Sequence, residues 1–202
     1  MVRKRCIMNN KMKEYELLRD EIMQKIGLQN TLLTFTITTC FAAYAFALSN
    51  NNIMFYLIPF CIILPMSIRI AYYTSALTKI AAYMEVFLEE KSGYIWETRN
   101  RKLVNKRIVK KKNKLFDFTV YQHNECLILS LVSYFLLAYH LIVDSSQMIF
   151  IKIVFLFLAT VLLLSEVYIT HRINHANKEK DSWVESWKEI KDEEYSEDED
   201  IN

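Results

Sequence analysis

Glycine and proline are nearly absent, with two of each in 202 residues. Both are normally enriched in membrane-spanning helices, and secondary transporters use them to break helices at a midplane binding site. Only Pro59 and Pro65 fall within an apolar stretch, which counts against a broken-helix transporter. Enzyme signatures are also missing: there is no Walker loop, no HExxH, no GxSxG and no intramembrane pair of acids. The chain therefore reads as non-enzymatic, with no cofactor. The four cysteines, Cys6, Cys40, Cys61 and Cys126, are scattered without zinc or CxxC spacing. They read as inert or lipid-facing thiols. His171 and His175 stand four apart, a spacing that can hold a metal on one helix face. Glu166 does not complete that set, and no metal site is expected. The first thirty residues lack an early apolar run, so no cleavable signal is expected.

Four apolar stretches are present, at about Thr31–Leu48, Ile53–Ile70, Cys126–Val143 and Met148–Ile169. Each is close to the ~20 residues that a helix needs to cross ~30 Å of hydrocarbon. The expected fold is all-α: a polytopic membrane protein with four transmembrane helices in two hairpins and helical cytosolic extensions. The turns Ser49-Asn50-Asn51-Asn52 and Asp144-Ser145-Ser146-Gln147 carry no Lys or Arg and suit tight connections. Basic residues gather in the other segments: Arg3 to Lys25, Arg99 to Lys114, and His171 to Lys180. The positive-inside rule then places both termini and the central segment in the cytoplasm.

The boundaries that follow are 1–30 for an amphipathic cytosolic helix, 31–75 for the first transmembrane hairpin, 76–125 for a basic helical cytosolic segment, 126–169 for the second hairpin, and 170–202 for a cytosolic helix with an acidic tail. In the first segment Met8, Met12, Tyr15, Ile22 and Ile26 recur at helical steps. They suit either a surface helix lying on the rest of the protein or a short seam between subunits. Beyond the second stretch, Ile70, Tyr73, Leu77, Ile80, Ala81, Met84, Phe87 and Leu88 continue a helical stripe toward Ser92-Gly93, where glycine suits a C-terminal cap. Tyr94-Ile95-Trp96-Glu97 reads as an aromatic anchor. A second cytosolic helix leads into the third stretch through Phe116, Phe118 and Tyr121. After the fourth stretch a helix carries Ile173, Ala176, Trp183, Trp187 and Ile190. The acidic run from Glu189 to Asp200 has the composition of a solvated, disordered tail.

Three groups of residues are candidate sites. Arg69 and Glu166 both fall roughly 24–27 Å from the outer turns at ~1.5 Å per residue. Charges at that depth need a partner or water, and an intramembrane ion pair between them, within one subunit or across two, competes with separate snorkelling to the headgroups. The first stretch carries Thr31, Thr34, Thr36, Thr38 and Thr39, then Ala42, Ala43, Ala45 and Ala47. Thr38, Ala42, Ala45 and Ser49 form one small-residue stripe, and Thr39, Ala43 and Ala47 an adjacent one. They read as a helix-packing face, with a hydroxyl-lined pore wall as the alternative. The basic residues Arg99, Arg101, Lys102, Lys106, Arg107, Lys110, Lys111, Lys112 and Lys114 can contact anionic lipid, dock the acidic tail, or do no more than fix orientation. Nucleic acid is the least favoured partner, because no aromatic platform interleaves the run. His140, near the outer end of the third stretch, reads as an interfacial residue rather than a pH sensor.

The stretch Glu14-Tyr15-Glu16-Leu17-Leu18-Arg19-Asp20-Glu21-Ile22, followed by Gln29-Asn30 and a Thr/Ala-rich span, resembles small bacterial membrane proteins in which such a helix precedes a hairpin. There the hairpin leads into a cytosolic helix like Ile80-Ala81-Ala82-Tyr83, Phe87-Leu88-Glu89 and Trp96-Glu97. Over about residues 10–100 the layout is also similar to the SLATT group of proposed pore-forming effectors in bacterial conflict systems. The second hairpin and acidic tail depart from the two-span SLATT pattern. The resemblance implies an oligomeric membrane-perturbing or pore-forming protein with a role in antiviral defence. The alternatives are a membrane anchor or scaffold that recruits a cytosolic protein, and a transporter or channel subunit. The expected partners are the lipid bilayer and further copies of the chain.

Overall fold

A computed structural model describes residues 2–50, 53–89, 95–110, 124–143 and 148–200. The described residues are helical almost throughout, and no strand occurs among them. The elements are α1 (Val2–Asn50), a 3-10 turn (Ile53–Leu57), α2 (Ile58–Tyr83), a π turn (Met84–Leu88), α3 (Trp96–Lys110), α4 (Glu125–Val143), α5 (Ile149–Asn174) and α6 (Ala176–Asp200). Among the described residues, four helical stretches are long and apolar enough to cross a membrane: Asn10–Asn50, Ile53–Leu88, Glu125–Val143 and Ile149–Asn174. The expected all-helical class and four-span count therefore hold at that level. The turns at 51–52 and 144–147, the Ser92-Gly93 cap, Tyr94, and the lead-in through Phe116, Phe118 and Tyr121 lie outside the described residues.

The chain divides into two compact units. One, the apolar unit, comprises Gly27–Tyr73 and Tyr121–Asn174. Its interior holds two clusters. Cys40, Tyr44, Ile63, Ile70, Cys126, Leu129 and Ile173 form the first. Ala47, Ile53, Tyr56, Phe60, Leu137, Leu141 and Ala159 form the second. On α4 the inward residues are Cys126, Leu129, Ser130, Ser133, Leu137 and Leu141, one stripe at three- and four-residue steps. Its other face remains apolar and open: Phe135 is 66% exposed. On α5 the open face is wider, with Ile149 77% and Phe157 71% exposed. Pro59 sits in the first turn of α2, where a missing N–H costs nothing. Pro65 lies inside the same helix and removes one rung of its ladder.

The other, the charged unit, comprises Met1–Ile26, Thr74–Val120 and His175–Asn202. Tyr15, Met84 and Leu88 form one core, with Leu18, Ile22, Ile80, Tyr83 and Phe87 packed on it. Ala82, Val86 and Val184 form another under Trp183 and Trp187. The buried face of the N-terminal helix is thus Tyr15, Leu18 and Ile22. Met12 and Ile26, expected on the same face, are exposed. Tyr15 is the buried member of that face and shares its cluster with Met84 and Leu88.

Two further expectations are corrected. The acidic run from Glu189 is helical to Asp200 rather than disordered. No Gly or Pro interrupts it, Glu and Lys are good helix formers, and Lys191 pins it by donating from Nζ to the Val86 carbonyl at 3.1 Å. The helix after the fourth stretch is not continuous either: it breaks at His175, between α5 and α6. His171 and His175 therefore do not share one helix face.

Candidate functional site

The most unusual chemistry in the apolar unit is a set of enclosed polar side chains. α5 turns Glu166 and Thr170, one helical turn apart, toward the interior. Glu166 is 0% exposed. Its Oε1 accepts the Ser67 hydroxyl of α2 at 2.6 Å, while Oε2 finds no hydrogen-bond partner. Thr170 Oγ1 and Ser130 Oγ, both buried, are likewise unpartnered. Cys126, also buried, lies near Ser67 at the same spot. Leaving one buried polar group unsatisfied costs about 1–3 kcal/mol, and an uncompensated charge more.

Within one chain Arg69 and Glu166 do not pair. Arg69 is exposed, and its guanidinium lies 5.5 Å from the Tyr72 ring centroid and 5.1 Å from that of Tyr73. Ser67, two residues earlier on α2, points inward where Arg69 points outward, since two helical steps turn a side chain by about 200°. The enclosed carboxyl thus takes a hydroxyl rather than a guanidinium. Depth along the apolar run singled out Glu166, and its side chain is buried. The choice of Ser67 had no signal beyond its place on the inward stripe Ile63, Ser67, Ile70.

Helix α1 separates its two small-residue stripes. Thr31, Thr34, Thr38, Ala42, Ala45 and Ser49 are exposed. Thr39 and Ala43 are half-buried and Ala47 is fully buried in the core. The exposed hydroxyls are already committed: Thr31 donates to Gly27, Thr34 to Asn30, and Thr38 to Thr34, at 3.0, 2.9 and 3.0 Å. Thr39 donates to Phe35 at 2.7 Å. Back-bonding to the preceding turn turns a row of threonines into an apolar surface, suited to close helix contact rather than to lining water. Deeper in, Tyr44 donates to the Leu129 carbonyl at 2.9 Å and lies 2.8 Å from Ser133 Oγ, joining α1 to α4. Gln29 Nε2 donates to the Ile70 carbonyl at 3.3 Å and joins α1 to α2. His140 rests against Tyr56, ring centroids 5.0 Å apart.

The charged unit is built on ion pairs that sequence inspection did not anticipate. Arg101 reaches Glu85 at 2.7 Å and Asp181 at 3.2 Å. Lys180 reaches Glu97 at 2.8 Å and Glu85 at 3.8 Å. Glu89, buried ahead of α3, accepts the backbone N–H groups of Glu97 and Thr98 and the Thr98 hydroxyl. It caps the helix N-terminus, where free N–H groups and the dipole favour a carboxylate. Lys79 Nζ lies 5.2 Å from the Trp183 centroid and 5.8 Å from that of Trp187. Tyr83 stacks on Phe87 and donates to Glu14 Oε1 at 2.6 Å. Arg101 is thus held by two carboxylates while its side chain stays 28% exposed. Arg99, Lys102 and Lys106 are exposed. The side chains of Arg107 and Lys110, and all of Lys111, Lys112 and Lys114, lie outside what the structure describes. A groove of about 460 Å³ opens beside this network, walled by Met12, Ile22, Met23, Met84 and Trp96.

Comparison with known proteins returned nothing: no family model, no curated protein and no solved structure matches the chain.

Proposed function

We propose that this chain is a non-enzymatic, multi-pass protein of the bacterial inner membrane, with both termini cytoplasmic, that self-associates through α1 and perturbs the membrane in a defence role. The exposed faces of α4 and α5 support insertion, because rows of open Phe, Ile and Val are stable only against lipid or another apolar surface. The distribution of basic residues supports the orientation.

The observation that carries self-association is the open stripe Thr31, Thr34, Thr38, Ala42 and Ala45. Its side chains are small and its hydroxyls are internally bonded, so a second α1 can approach closely without stranding a donor. The interior of the apolar unit is filled by Phe60, Ile63, Ile70 and Leu137. A conducting path, on this reading, runs between copies and not through one. Induced expression with a membrane-potential dye tests it. Depolarisation that is lost, together with the larger assembly in nanodiscs, in an Ala42→Ile, Ala45→Ile variant supports the reading. An unchanged potential, or a chain that stays monomeric at every concentration, contradicts it.

A second reading, a membrane anchor that recruits a cytosolic protein, draws on the Met- and Trp-walled groove of the charged unit. Trp96 is 66% exposed on its rim. An unchanged membrane potential with a co-purifying protein that Trp96→Ala releases favours this second reading.

A further inference from the structure

We propose that Glu166 is the centre of a binding site for one small monovalent cation, a proton or an alkali ion, inside the apolar unit. The site is built from two helices. Glu166 supplies a fully enclosed carboxyl, and Ser67 holds one of its oxygens at 2.6 Å. The second oxygen is enclosed and has no donor. One turn along α5, the Thr170 hydroxyl oxygen is also enclosed and unpartnered. Nearby groups do not neutralise the carboxyl. No cationic side chain forms an ion pair with Glu166 among the described residues. Arg69 on α2 is turned out over Tyr72 and Tyr73. On α4, Cys126 lies close enough to Glu166 and Glu125 to interact electrostatically, and Cys40 of α1 adjoins Cys126; a thiol gives no positive charge. His171 and Arg172, on α5 itself, are exposed.

A carboxyl in apolar surroundings is neutralised by a partner or by a bound cation. Among the described residues the carboxyl has hard oxygen neighbours and no partner charge. Hard oxygens take protons and hard cations rather than soft transition metals, and one enclosed carboxylate balances one positive charge. Intramembrane acids that lack an ion-pair partner mark ion or proton sites by default. The inference does not depend on whether copies associate through α1.

The test uses the full chain in nanodiscs, with the melting midpoint followed by circular dichroism. A ligand that binds only the folded state raises the midpoint in proportion to the logarithm of its concentration. In wild type the midpoint rises with sodium at fixed pH if the ligand is an alkali ion. It rises with proton activity in choline buffer, and ignores sodium, if the ligand is a proton. Glu166→Gln keeps the shape and the Ser67 bond without the charge, and its midpoint loses that dependence while the protein stays folded. Ser67→Ala keeps the carboxyl and removes the donor that favours its charged form, so a proton dependence moves to lower proton concentration. A wild-type midpoint flat in both titrations overturns the proposal, as does a dependence that Glu166→Gln retains in full.

Discussion

Glu89 shows how much one side chain can organise. Its carboxylate satisfies two N–H groups at the start of α3 and the Thr98 hydroxyl, from a buried position seven residues before Trp96. Replacing it with alanine removes these bonds, and losing a helix cap costs about 1–2 kcal/mol. Amide exchange at Glu97 and Thr98 should quicken in Glu89→Ala while exchange in α4 stays unchanged. Equal exchange in both proteins would mean that α3 holds its start by other contacts. Glu89 carried no mark in the sequence, where it reads as one more polar residue on a helix. Glu166 was legible because an acid inside an apolar run has no ordinary explanation. Its partner was not, since depth along a helix says nothing about which way Arg69 turns.

At the scale of elements, the helices themselves were readable and their junctions were not. Apolar runs of the right length gave the four long helices. The π turn at Met84–Leu88 and the break at His175 have no Gly or Pro to announce them. A π turn loosens the carbonyl ladder, and Lys191 from α6 answers by bonding the Val86 carbonyl. Charge pairing between the π turn, α3 and α6 was hidden for a similar reason. Arg101 and Lys102 are neighbours in a run that looks uniformly basic, yet Arg101 is held by Glu85 and Asp181 while Lys102 is exposed. The Glu85 side chain is only 6% exposed. Arg101→Met leaves that carboxylate with Lys180 at 3.8 Å alone, and breaking a buried pair in this way destabilises by about 3 kcal/mol. Lys102→Met should change stability by less than about 0.5 kcal/mol. Denaturant titration of the full chain in detergent compares the two, and equal effects would contradict the assigned network.

The whole molecule divides its sequence by solvent. Charged residues, buried ion pairs and the tryptophan cluster belong to one unit, and open apolar helix faces belong to the other. That division was visible in the hydropathy pattern, because the three charged blocks alternate with the four apolar runs. Which apolar face turns inward was not visible, because small residues mark an inward and an open stripe alike. Thr39, Ala43 and Ala47 turn toward the core while Thr38, Ala42 and Ala45 stay open, and the two stripes differ by one residue. Any function as an anchor, assembly or ion-binding bundle depends on the apolar unit crossing lipid four times.

Labelling of single cysteines on a cysteine-free background, with a membrane-impermeant thiol reagent on intact cells, tests that crossing most directly. Asn50→Cys and Met148→Cys, both at exposed positions beside the expected outer turns, should label at once. Arg99→Cys and Glu193→Cys, exposed within the charged unit, should label only after the cells are permeabilised. Labelling of Arg99→Cys or Glu193→Cys in intact cells, or protection of Asn50→Cys and Met148→Cys, would contradict a four-pass protein with both ends inside.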